Sequence, residues 1–93
     1  MNRTVLITGA SRGIGRAIAL AFAAEGDRIA INYHTNESAA QATADACRAL
    51  GAQAEIFRAD VARREDVFAM VRAVERIFGS VEVLVNYAGI AQQ

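Results

Sequence analysis

The segment Val5-Leu6-Ile7-Thr8-Gly9-Ala10-Ser11-Arg12-Gly13-Ile14-Gly15 decides the fold. Its apolar start reads as a strand. Beyond it Ile14, Ala17, Ile18, Ala21 and Phe22 recur at i, i+3, i+4 spacing and predict a helix with that set on one face. Strand, glycine turn and helix form the context in which a chain grips a dinucleotide. Gly9 allows a sharp exit from the strand, Gly13 leaves no Cβ between backbone and pyrophosphate, and Gly15 lets the helix approach the strand. The first N–H groups of such a helix lack intrahelical partners and sit at the positive end of its dipole, which favours an anion. The bland alternative is a tight βα turn that binds nothing.

Working outward, Val5 to Thr8 is apolar enough for a strand buried on both faces. The first helix runs from Gly13 to about Glu25 and is closed by Gly26. Arg28 to Tyr33 is a second strand. Thr35, Asn36 and Ser38 offer caps for a second helix that reaches about Leu50 and stops at Gly51. Its inner face is predicted to be Ala39, Thr43, Ala46, Cys47 and Leu50. Gln53 to Ala59 is a third strand ending at Asp60. The third helix carries a stripe of Val67, Met70, Val71, Val74, Ile77 and Phe78 and stops at Gly79. Ala62 stands three residues before Glu65, where Ser or Thr would complete a capping box, a lack worth about 1 kcal/mol. Val81 to Val85 is the fourth strand, leading into Asn86-Tyr87-Ala88-Gly89.

This alternation predicts an α/β fold, the N-terminal half of a doubly wound, Rossmann-type parallel sheet, β-α-β-α-β-α-β, in strand order 3-2-1-4. Residues 1–93 then form a single, incomplete dinucleotide-binding domain, with its cleft between the first and fourth strands at their carboxyl edge.

Composition narrows the classes. The chain is 54% hydrophobic without proline or tryptophan, which argues for a packed domain over disorder. A domain of 93 residues buries only about 60–65% of its unfolded surface, so its stability is thin. Net charge is zero and no basic patch is interleaved with aromatics, which argues against nucleic acid. The apolar run after Met1-Asn2-Arg3-Thr4 is too short for a signal segment or a membrane span. Cys47 is the only cysteine, so neither an internal disulfide nor a cysteine-based metal site is expected, and a cytoplasmic location is. All ten basic residues are arginine.

The run Thr8-Gly9-Ala10-Ser11-Arg12-Gly13-Ile14-Gly15, with its G-x-x-x-G-x-G spacing, resembles the fingerprint of the short-chain dehydrogenase/reductase family. Its continuation, Arg16-Ala17-Ile18-Ala19-Leu20, is most like the 3-oxoacyl-acyl-carrier-protein reductase branch. The resemblance implies cofactor contacts along Gly9, Ser11, Arg12, Gly13, Ile14 and Gly15. It implies an adenine contact at Asp60 and Val61, where the isolated residues would read as a cap or turn. It also implies that Asn86, Ala88 and Gly89 line the cleft, as in the family's N-N-A-G motif, from which Tyr87 departs.

Cofactor choice is read at the end of the second strand. About 20 residues past the glycine turn, an NAD site places a carboxylate on the ribose 2′-OH. Here stand Asn32-Tyr33-His34-Thr35, with no carboxylate to repel a 2′-phosphate. Arg12 is either a solvated charge or a bidentate phosphate ligand, and this second strand favours the ligand. In the family the pattern goes with NADP (NADPH). Asn32 and Tyr33 would border the adenosine, although Tyr33 reads equally as a sheet-end aromatic. His34, the only histidine, reads as a solvated loop residue rather than a catalytic one.

The family's catalytic Ser, and the Tyr and Lys of its Y-x-x-x-K motif, lie C-terminal to the matched region. Neither Tyr33 nor Tyr87 has a lysine four residues on. The expectation is therefore the cofactor-binding part of an NADP-dependent oxidoreductase, inactive alone and with no catalytic residue of its own. The alternative is a non-catalytic nucleotide-binding or self-associating module. Val83, Leu84 and Val85 on an edge strand without proline or lysine predict a homo-oligomer through that edge or the bare sheet face beside it.

Overall fold

The computed structural model describes residues 2–10 and 13–87. In chain order they form β1 (Thr4–Thr8), α1 (Gly13–Ala24), β2 (Arg28–Tyr33), α2 (Glu37–Ala49), β3 (Ala54–Arg58), α3 (Arg64–Phe78) and β4 (Val83–Asn86). The strands make one parallel sheet in the order β3-β2-β1-β4. Val5 pairs with Ile29 on one side and Val83 on the other, so β1 is central and every residue in it is buried.

Alternation along the strands divides the core. Val5, Ile7, Ile29 and Ile31 face α1 and α2, where Ala19, Ala23, Ala40, Ala44 and Cys47 pack against them. Leu6, Ala30, Phe57 and Ala59 face α3 and meet Met70 and Val74. Branched side chains come from the sheet on the first face, and small ones from the helices, so the helices lie close. Burial pushes the Cys47 thiol pKa up, so the thiol behaves as a small core hydrophobe.

The buried face of each helix overlaps the predicted set without matching it throughout. In α1 the buried residues are Gly15, Ala19 and Ala23, with Ile18 and Phe22 half-buried, while Ile14, Ala17 and Ala21 are exposed. The helix is apolar almost all round, so periodicity alone did not choose between faces, and close packing on β1 selected the smallest side chains. In α2 the buried set is Ala40, Thr43, Ala44 and Cys47; Ala39 and Ala46 are half-buried. Leu50 is the C-cap and is exposed, because the helix ends before it. In α3, Met70 and Val74 are buried, but Ile77 is exposed at the last turn.

Strand and cap positions shift similarly. Pairing of β4 starts at Val83 rather than Val81 because Glu82 serves the strand ends instead: its N–H donates to Thr4 O (3.0 Å), and its Oε1 accepts from Thr4 N (2.8 Å). Asn36 caps α2, its side chain accepting from Ala39 N (3.1 Å). The N-cap of α3 is Arg63, not Ala62, and it makes no side-chain capping bond. Arg63→Ser supplies that acceptor and gives up only a 3.9 Å contact between exposed Arg63 and Asp66. We expect it to stabilise the domain by about 0.5–1 kcal/mol. An unchanged or lower thermal midpoint would count against this cap position.

Candidate nucleotide-binding site

The site lies at the carboxyl edge of the sheet, where β1 hands over to α1. Gly9 (φ 75°) and Gly13 (φ 65°) both take left-handed backbone. Gly15 sits in the first turn of α1 against the outgoing strand. A Cβ there would run into the Gly9 carbonyl oxygen and lie 2.9 Å from its carbon and 3.0 Å from Ala10 Cα. A Cβ on Gly13 would meet no described atom within 4 Å. The first turn of α1 contains no acidic residue. The helix N-terminus is thus compatible with a pyrophosphate. Ser11 and Arg12, both candidate contacts, lie outside the described residues, as do Ala88 and Gly89.

Beside the turn, Thr8 pairs with Asn86 across β1 and β4. The Thr8 hydroxyl donates to Asn86 Oδ1 (2.9 Å), with Val85 O 3.4 Å away. Asn86 therefore closes the strand ends while remaining exposed at the cleft. Thr8 itself was not among the predicted contacts, although its place directly before the first glycine marks it. Ile14 projects from the start of α1 with its side chain exposed, available to a ligand but not part of the core.

On the other side of β1, Asn32 is buried and knits β2 to β3. Its amide nitrogen donates to Ala59 O (3.1 Å), Phe57 O (3.3 Å) and Tyr33 O (3.3 Å). Ala59 N adds a bond to Tyr33 O (2.9 Å). Asn32 is thus a buried brace between the ends of β2 and β3. Tyr33 is half-buried and packs on the α1/α2 core. Asp60 forms the turn that its local sequence suggests. Its Oδ1 accepts from Ala62 N (3.0 Å), and its own N–H donates to Asp66 Oδ2 (3.0 Å). Val61 is partly exposed and borders an apolar groove.

That groove, about 530 Å³, runs between α3 and the β1–β4 half of the sheet. Leu6, Val67, Met70, Val71 and Leu84 line it, with Thr8 and Asn86 at the carboxyl ends of the strands. Leu84 is 61% exposed because α3 covers only part of this face. Among the described residues there is no cluster of three or more His, Cys, Asp or Glu side chains able to hold a metal, and no helix long and apolar enough to cross a membrane.

A parallel β3-β2-β1-β4 sheet with a glycine turn at the first strand defines a dinucleotide-binding α/β domain of dehydrogenase type. The family model for short chain dehydrogenases matches residues 3–93, and the chain belongs to that family. It is 46% identical over 92 residues to the 3-oxoacyl-acyl-carrier-protein reductase FabG of Staphylococcus epidermidis, covering 99% of this chain and 38% of that one. The chain therefore spans less than two-fifths of that reductase's length. A short-chain dehydrogenase/reductase homolog from Bacillus subtilis, YusS, is 36% identical over 92 residues, and there the match covers 84% of the relative. Among solved structures, a protein assigned as a dehydrogenase from Burkholderia cenocepacia, with bound NADP, superposes with a TM-score of 0.87 at 32% identity. That match covers 91% of this chain and 33% of the other.

Proposed function

We propose that this chain is the cofactor-binding part of an NADP-dependent short-chain oxidoreductase resembling the 3-oxoacyl-acyl-carrier-protein reductases. The carrying observation is the close approach of Gly15, in the first turn of α1, to Gly9 at the end of β1, with Gly9 and Gly13 both in left-handed backbone. Gly9, Gly13 and Gly15 shape the pyrophosphate cradle, with Ser11, Arg12 and Ile14 around it. Asn32 and Tyr33 back the adenosine, Asp60 and Val61 flank the adenine, and Asn86, Ala88 and Gly89 line the cleft. NADP(H) is favoured over NAD(H) because β2 ends without a carboxylate and Arg12 is at hand. The bound NADP of the Burkholderia neighbour supports the same choice. The cofactor supplies hydride; this chain binds and orients it, and the proton-transfer residues of the family fall outside the matched region. The setting we propose is cytoplasmic.

Calorimetry with both cofactors tests the reading. We expect NADP(H) to bind in the high-micromolar range or more weakly, worth about 5–6 kcal/mol. NAD(H) should bind more weakly still, and Arg12→Ala should abolish the difference. Equal binding of both cofactors, or a preference that survives Arg12→Ala, would overturn the assignment. The chain alone is expected not to oxidise NADPH with an acetoacetyl thioester, and turnover that copurifies with it would refute this.

A second reading, self-association, rests on Leu84. This side chain stands exposed on β4, the edge strand of the sheet among the described residues, beside the apolar groove. Neither proline nor lysine blunts the edge. Light scattering at micromolar concentration should show a dimer or larger species for the native chain and a shift toward monomer for Leu84→Lys. A dilution-stable native monomer would show that the edge does not self-associate.

A further inference from the structure

Helix α3 carries an exposed aromatic side chain that the core does not use. Phe68 is 56% exposed, on a helix whose Met70 and Val74 face the sheet. A single exposed apolar side chain is ordinary. This one belongs to an ordered stripe. Arg64, Phe68, Val71 and Glu75 recur at i, i+4, i+7 and i+11, so at about 100° per residue they share roughly 60° of the helix surface. Val71 is half-buried and lines the groove beside β4, while Arg64 and Glu75 are exposed. Among the described residues the ion pairs leave both of these charges out.

The stripe is self-complementary. Phe68 and Val71 lie equally far from its midpoint, and so do Arg64 and Glu75, which put opposite charges at its two ends. When a two-fold axis through that midpoint turns a second copy end for end, Arg64 of each copy meets Glu75 of the other and Phe68 meets Val71. Every contact then occurs twice, as an isologous interface requires. The charged ends are about 16 Å apart at 1.5 Å per residue, so the two ion pairs bracket an apolar centre. A parallel pairing would instead set Arg64 on Arg64 and Glu75 on Glu75, which repel.

The helix dipole supplies a separate reason. Glu65 and Asp66 in the first turn and Arg76 in the last follow the order that the dipole of α3 favours. Arg64 at its first residue and Glu75 in its last turn run against that order, so the stability of the isolated helix does not account for them. In an antiparallel pair each lies beside the opposite end of the partner helix, where the dipole favours its charge. We propose that this face of α3 is a dimer contact, pairing antiparallel with the same face of a second copy of the chain about a two-fold axis between Phe68 and Val71. The contact is separate from the β4 edge and does not depend on self-association there.

The test is a charge exchange, read by sedimentation over a concentration series at low salt, where exposed pairs are least screened. Arg64→Glu and Glu75→Arg each place two like-charge contacts in the dimer and should each weaken dimerisation roughly tenfold or more. Mixed in equal amounts, the two variants should associate with each other at near-native strength, because every end contact again joins opposite charges. Phe68→Ala should weaken dimerisation by a similar factor while far-ultraviolet circular dichroism stays unchanged. Native-strength association of both charge variants, or a mixture that fails to recover it, would overturn this inference alone. Association weakened by Leu84→Lys but by neither charge variant would place the contact at β4 instead. A native chain that stays monomeric up to millimolar concentration would overturn this inference and the edge reading together.

Discussion

Gly15→Ala is expected to cost the domain about 3 kcal/mol or more, enough to leave much of the chain unfolded near body temperature. The added methyl would run into the Gly9 carbonyl oxygen, and the obstacle is backbone, not a side chain that can swing aside. Overpacking of a tight core costs about 1–3 kcal/mol even where neighbours can yield. Here relief requires α1 to lift from β1, which opens the packing around Ala19 and Ala23 as well. For a domain of this size each kcal/mol lowers the thermal midpoint by roughly 4–8 °C. Gly13→Ala is the control. Its methyl meets no described atom within 4 Å, and the left-handed φ is strained, at about 1–2 kcal/mol. Urea unfolding of the two variants separates the effects. A Gly15→Ala chain no less stable than Gly13→Ala would show that the close approach of α1 to β1 is wrong.

Asp27→Asn is expected to produce the second large loss, about 2–3 kcal/mol at pH 7. Asp27 is fully buried at the amino edge of the sheet. Its Oδ2 accepts from Arg3 Nη2 (2.8 Å), and its Oδ1 accepts from Arg3 N (3.0 Å) and Nε (3.3 Å). The Arg3 guanidinium also lies 5.6 Å from the Phe22 ring centre, so it joins β1, the α1–β2 turn and α1. The side-chain bond from Arg3 is the main cause that holds the Asp27 carboxyl below the usual carboxylate range, against the opposing effect of burial. A carboxyl with a depressed folded pKa stabilises the fold fully above its unfolded value, near 3.9, and loses that contribution as pH falls through the folded value. The native chain should therefore lose stability as pH drops below about 4, and Asp27→Asn should lack that part of the acid limb. Identical acid limbs in both chains would remove Asp27 as its source.

The site itself was partly legible. The glycine turn announced its place because strand, Gly9, Gly13, Gly15 and helix are contiguous, and the structure puts left-handed backbone and a close approach at those positions. Asn32 and Asp60 were singled out by position, but their bonds were not foreseeable. The Asn32 amide finds carbonyls on β3, and Asp60 meets Asp66 and His34, partners that local spacing does not specify.

The sequence by itself determined which elements form, their order and the parallel sheet. These follow from apolar runs cut by glycine stops and from right-handed crossovers, signals that are local or nearly so. The stripe read for α3 carries its buried Met70 and Val74, but tertiary structure decided which face of α1 is buried. In α1 the apolar residues surround the axis, so the sheet selected Gly15, Ala19 and Ala23 for their size and left Ile14 in solvent. It also decided the polar ties, Arg3 with Asp27, Thr8 with Asn86, and Asn32 with Phe57 and Ala59. Each joins residues far apart in the chain, and only the strand register brings their hydrogen-bonding groups within reach.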